Sequence, residues 1–163
     1  MIRPFSARRP IIMGSITGSY LGIILWLGWL AVSGNLPEGP GWALPLVAMV
    51  YGAFIVPLAA VGLLIFGLPA AQAVEGDFRA WWLPIASLIM GAIGGKILAS
   101  ILYYLLWQNF RAPWGGGLFG PEIVIGAATG LCFWWFERKW RIADEYRRRT
   151  EGEWSADFDP ENL

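Results

Sequence analysis

The chain has no histidine and a single cysteine, Cys132, in 163 residues. One cysteine excludes a disulfide within the chain. Without an imidazole there is no His/Cys metal site, no His-ligated haem and no catalytic triad built on a histidine base. Charge is also scarce: 15% of residues are Asp, Glu, Lys or Arg and 56% are hydrophobic, where a soluble domain carries about 25% charged residues. The formal net charge is zero, which argues against the basic face of a nucleic-acid binder. The apolar stretches lack the two-residue alternation that a membrane β-barrel needs.

What remains is four long apolar blocks, at residues 11–32, 42–68, 81–107 and 121–136. A helical span needs about 20 apolar residues, and helices are the open architecture that satisfies every backbone hydrogen bond in lipid. The fourth block is short, roughly 24 Å at 1.5 Å per residue, and spans by local thinning of the bilayer or by recruiting Leu118 and Phe119. The interruptions carry turn chemistry: Ser33, Gly34, Pro37, Gly39 and Pro40 after the first block, Glu75, Asp77 and Arg79 after the second, and Arg111, Pro113 and Gly115 to Gly117 after the third. The first block follows Arg3, Arg8 and Arg9, as in a secretory signal, but it is longer than the ~7–15 residues of a signal-peptide core. It is read as a retained span.

The expected fold class is therefore all-α: a polytopic membrane protein with a four-transmembrane-helix bundle. Residues 1–10 form an N-terminal segment, 11–140 the bundle, and 141–163 a charged, partly disordered tail. Basic residues set the orientation. Arg3, Arg8, Arg9 and Arg79 fall on the same side as Arg138, Lys139, Arg141, Arg147, Arg148 and Arg149, while Arg111 stands alone on the other. The positive-inside rule makes the basic side cytoplasmic and gives an N-in/C-in topology. With short loops, this points to the bacterial inner (plasma) membrane. Interfacial tryptophans mark both edges, Trp29, Trp42, Trp107 and Trp114 at one and Trp81, Trp82, Trp135 and Trp140 at the other.

Small residues mark the helix-packing faces. Gly14, Gly18 and Gly22 recur every four residues in block one, bordered by Ser15 and Ser19; Gly91 and Gly95 lie in block three, and Gly126 and Gly130 in block four. Such stripes let helix backbones approach closely, either within the bundle or against another subunit. Pro57 near the middle of block two predicts a kink.

Lys96 stands near the midpoint of block three, where an ammonium costs at least ~2.5–3.5 kcal/mol. On a helical wheel Ala92, Ala99, Ser100 and Tyr103 surround it, so it faces a neighbouring helix or an aqueous gap. Glu122 at the start of block four is the candidate acid, provided that it lies deeper than the interface; Tyr20 is a neutral alternative. The stretch Gly91 to Ile97 is not a phosphate-binding loop: Met90 replaces its first glycine, and Ile97 replaces its Ser or Thr. After Phe136 the pattern continues as a helix with Glu137/Arg141, Arg138/Glu145 and Asp144/Arg148 at near-helical spacing. There Arg138, Lys139 and Arg141 are placed to meet anionic lipid headgroups.

No catalytic constellation emerges. Glu75, Asp77 and Glu137 are the only interfacial acids placed for chemistry on a lipid-linked substrate, and their spacing shows no cooperation. The expectation is a non-enzymatic accessory or scaffold subunit of a larger membrane complex, without metal or cofactor. Its partners are membrane lipids and other membrane subunits or further copies of itself. The alternative is a small oligomeric transporter or channel that uses Lys96 in an anion or proton pathway.

Overall fold

The structure is a computed structural model that describes residues 8–35, 41, 43–74, 80–107 and 120–157. The basic residue Arg3, the loop residues Glu75, Asp77, Arg79 and Arg111, the interfacial Trp42 and Trp114, and the end of the tail lie outside the described residues. Everything described is helix or short connection, with no strand. The helices are α1 (Arg8–Val32), α2 (Ala43–Gly62), α3 (Leu68–Ala73), α4 (Leu83–Trp107) and α5 (Pro121–Asp157). A π-helical turn, Leu63–Gly67, joins α2 to α3 without a break in the rod.

Among the described residues three rods are long and apolar enough to cross a membrane: Arg9–Val32, Ala43–Ala73 and Leu83–Leu106. Their outer faces carry large bare hydrophobics, among them Ile24 at 62%, Phe54 at 79% and Leu105 at 71% exposed. Such surfaces belong in hydrocarbon, because a water-soluble monomer rarely exposes apolar patches beyond a few hundred Å². The chain is a helical membrane bundle.

Local chemistry fixes the helix ends. α1 stops where Gly34 turns left-handed at φ 71°. The Gly34 amide donates to the Ala31 carbonyl at 3.3 Å and the Asn35 amide to the Leu30 carbonyl at 3.0 Å. This is the paired bonding of a Schellman cap, which glycine enters without a Cβ clash. α5 opens on Gly120 with Pro121 as its first helical residue, a place where the missing proline N–H costs nothing. The helix runs unbroken through Pro57 and departs from regular form at Leu63–Gly67, where the Leu68 amide reaches back to the Leu63 carbonyl. Pro69 follows this wide turn. In a regular helix its ring would press on the carbonyl of Ile65, and widening the turn gives that carbonyl room.

α5 is the centre of the bundle, and its first half packs on α1 and α4 at once. Toward α1 the steps are Gly22 on Ile125, Gly18 on Thr129 and Gly14 on Phe133. One number rises as the other falls, so the helices are antiparallel. Toward α4, Gly91 and Gly95 interleave with Gly126 and Gly130, backbone against backbone. Ser15 and Ser19 are sealed beside the first contact, at 1% and 0% exposed. α2 leans on α1 through Gly52, which receives the Tyr20 ring, and Ile11, Leu63 and Phe133 form a small core where α1, the π turn and α5 meet. The rod of α2 and the π turn touches α4 sparsely, at Gly62 against Leu98 and at Phe66 against Gly94.

A Cβ at Gly18 would meet backbone, with the Thr129 amide nitrogen at 2.9 Å and the Ala128 carbonyl oxygen at 3.1 Å, whereas Gly28 has nothing within 4 Å. Gly18→Leu is therefore expected to destabilise the bundle by about 3 kcal/mol or more. Gly28→Ala should be neutral or slightly stabilising. Unfolding in mixed micelles by SDS titration measures both, and equal effects at the two sites would contradict this packing.

Candidate functional site

Lys96 lies halfway along α4, one residue beyond Gly95, and α5 begins at that same level. A side chain at Gly95 would strike the Glu122 carbonyl, so the first turn of α5 sits against the middle of α4. The missing Cβ atoms of Gly91, Gly95, Gly126 and Gly130 make this approach possible. As a result Glu122 lies deep in the bundle, and its carboxylate accepts a 2.5 Å hydrogen bond from the Lys96 ammonium. The Lys96 side chain is 37% exposed and that of Glu122 only 9%.

Two features offset the cost of this partly buried pair. The charges are in direct contact. Glu122 belongs to the first turn of α5, where the unpaired amides and the helix dipole favour a negative charge. Elsewhere on α4 the Ser100 hydroxyl donates to the Lys96 carbonyl at 2.8 Å and the Ser87 hydroxyl to the Leu83 carbonyl at 2.8 Å, so neither seryl group needs another partner.

The sparse contact between α2 and α4 leaves a long apolar slot with a cavity volume of about 1060 Å³. α2 and α4 form its walls, and α5 lies along it from Pro121 to Arg141. Glu122 borders the slot, and Lys96 does not. At the far end the lining turns polar, with Trp134, Glu137, Arg138 and Arg141.

The three residues expected at lipid headgroups meet at this end but have different surroundings. Arg141 is held by the protein: its Nε donates to Glu137 at 2.8 Å and an Nη2 proton to the Ala71 carbonyl at 2.9 Å, which pins the end of α3 to α5. Lys139 points away from the slot, with its ammonium 4.9 Å from the centre of the Trp135 ring. Arg138 lies over Trp134, 5.4 Å from the ring centre, and has no carboxylate partner among the described residues. Its Nε and the indole Nε1 of Trp134 are both buried without an acceptor.

No motif in the sequence marks the slot or singles out Trp134. Slot-lining positions such as Ala59, Ala86 and Leu98 read as ordinary core. Arg138 four residues after Trp134 was the one available signal, since that spacing stacks the two on a helix face.

Lys96→Met should destabilise the protein by about 3 kcal/mol, because it strands a buried carboxylate. Adding Glu122→Gln should recover most of that loss. A double-mutant cycle by SDS titration reads the coupling, and simple additivity would mean that the two groups do not interact.

Comparison with protein-family models, with curated proteins and with solved structures returns no match to this chain, so its site stands on its own geometry.

Proposed function

We propose that the chain is a non-enzymatic integral membrane protein that crosses the bilayer four times, with both termini cytoplasmic, and serves as an accessory or scaffold subunit of a larger membrane assembly. The observation that carries this reading is the length of α5. Its first half lies inside the bundle, and Arg141 is still bonded to the end of α3. The helix then continues to Asp157, roughly 24 Å further at 1.5 Å per residue. Along this arm Ile142 and Tyr146 are 41% and 71% exposed.

A helix of that length is marginal in water without tertiary packing. Its exposed Ile142 and Tyr146 form one edge at four-residue spacing, suited to the groove of a partner. The basic belt at Arg138, Lys139 and Arg141 supports a cytoplasmic position for the arm. The fourth span is assigned to the part of α5 between α1 and α4. Its apolar run, between Glu122 and Glu137, is shorter than those of the other three. Pairing of Lys96 with Glu122 inside the chain supports a structural role over the transporter reading, because the ammonium already has its counter-ion and stands outside the slot.

Purification in mild detergent, followed by mass spectrometry, tests the proposal. The full chain should bring down a defined membrane partner or further copies of itself, and a chain ending after Arg141 should insert normally yet lose that association. A full-length protein that purifies as a clean monomer with nothing attached would count decisively against it.

A further inference from the structure

The geometry points to a phospholipid site in the slot between α2 and α4: acyl chain along the apolar walls, and an anionic phosphate at Arg138 and Trp134. This inference concerns the bundle alone and does not depend on the arm having a partner.

The walls argue for an acyl chain. The slot is mostly apolar, with Glu122 bordering it away from the arginine end, and its volume of about 1060 Å³ is at the upper end for a small-ligand site. A partner helix, 10–12 Å across with its side chains, is too thick to enter, because α2 and α4 still meet across the slot. Phe66 packs 3.3 Å from the position of a Cβ on Gly94, and Leu98 closes on Gly62. A single hydrocarbon chain passes where a helix cannot.

The end of the slot argues for an anion. Arg138 is the one lining cation whose guanidinium is not already engaged, since Arg141 is committed to Glu137 and to the Ala71 carbonyl. Among the described residues Arg138 has no hydrogen-bond or carboxylate partner, and its guanidinium lies over the Trp134 ring. Its Nε is buried without an acceptor, and its Nη atoms are not among the buried unsatisfied atoms. They present a fork matched to two phosphate oxygens. The buried indole Nε1 of Trp134 is a second donor without an acceptor, and a buried donor normally has one. Apolar walls leading to two unsatisfied donors describe an amphiphile with an anionic head. The site lies where α5 leaves the bundle, at the level expected of headgroups.

Native mass spectrometry of the full chain, released from nanodiscs of phosphatidylglycerol or of phosphatidylcholine, tests this. The wild type should retain one phosphatidylglycerol through activation that strips the remaining lipid, and should retain phosphatidylcholine poorly. Arg138→Gln should lower that retention about tenfold, in line with the loss of a charged hydrogen bond. Ala59→Phe, which fills the slot and leaves Arg138 untouched, should lower it as well. Circular dichroism and SDS titration identify any variant that has merely unfolded, and Arg138→Lys then serves as the folded comparison with partial retention. Equal retention of both lipids, or retention unchanged by Arg138→Gln and Ala59→Phe together, would overturn the assignment. So would competition by inorganic phosphate alone at millimolar concentration, which would reduce the site to a free-anion pocket. A photo-crosslinker at Ala59 that captures protein rather than lipid would also overturn it.

Discussion

The whole arrangement rests on how closely α5 approaches its two neighbours. Lipid tails are as apolar as leucine, so membrane helices gain little from burying greasy side chains and associate instead by contact of backbones and small residues. α5 does this on two adjacent stripes. Ile125, Thr129 and Phe133 fit the glycines of α1, while Glu122, Gly126 and Gly130 lie against Gly91, Gly95 and the Ser87 carbonyl of α4. Each stripe advances four residues per step, and the two lie about 100° apart on one helix. One rod can therefore bind two antiparallel neighbours.

That contact explains the ion pair. A carboxylate at the first turn of a helix normally rests at the membrane surface. Here the glycines carry the start of α5 to the middle of α4, and Glu122 arrives beside Lys96 as a consequence of helix packing. The pair in turn suits the packing. A lysine alone at that depth would strain toward water, and an acid alone would make the helix start costly, whereas together they neutralise each other at the helix end where negative charge is favoured.

The membrane-spanning character of the chain could be read directly, because hydropathy and span length follow from the bilayer's thickness alone. Residues 11–32 and 81–107 correspond closely to α1 and α4. The apolar block at residues 42–68 stops short of Pro69, but the rod passes it: a π turn before Pro69 lets the helix reach Ala73. Block four gives the weakest compositional signal, because its apolar run is short and bounded by Glu122, Glu137 and Arg138; of these, Glu122 is drawn inside by the packing of α5. The glycine positions were legible as faces, but periodicity on one helix does not name the opposing residue. Gly18 pairs with Thr129, and nothing in either segment alone indicates that. The slot was illegible for a related reason: it consists of contacts that are not made, and a sequence pattern has no mark for those.

Why it stays open follows from the same packing rule. α2 has glycines, but Gly52 is occupied by the Tyr20 ring and Gly62 by Leu98, so no glycine ladder remains to match that of α4. Phe66 of the π turn lies against Gly94 where the rod does meet α4. In water a gap lined by leucine, alanine and phenylalanine would collapse, because closing it removes apolar surface from a hostile solvent. In a bilayer no such force acts, since hydrocarbon fills the gap as well as a side chain would. The bundle thus needs tight contact only along α5, and the α2–α4 seam can stay unsealed at little cost. A seam of this kind, ending at an arginine that lies over a tryptophan ring and has no acid among the described residues, is selective through its end rather than its walls. The walls accept any chain, and the unpaired guanidinium favours a head that carries a negative charge.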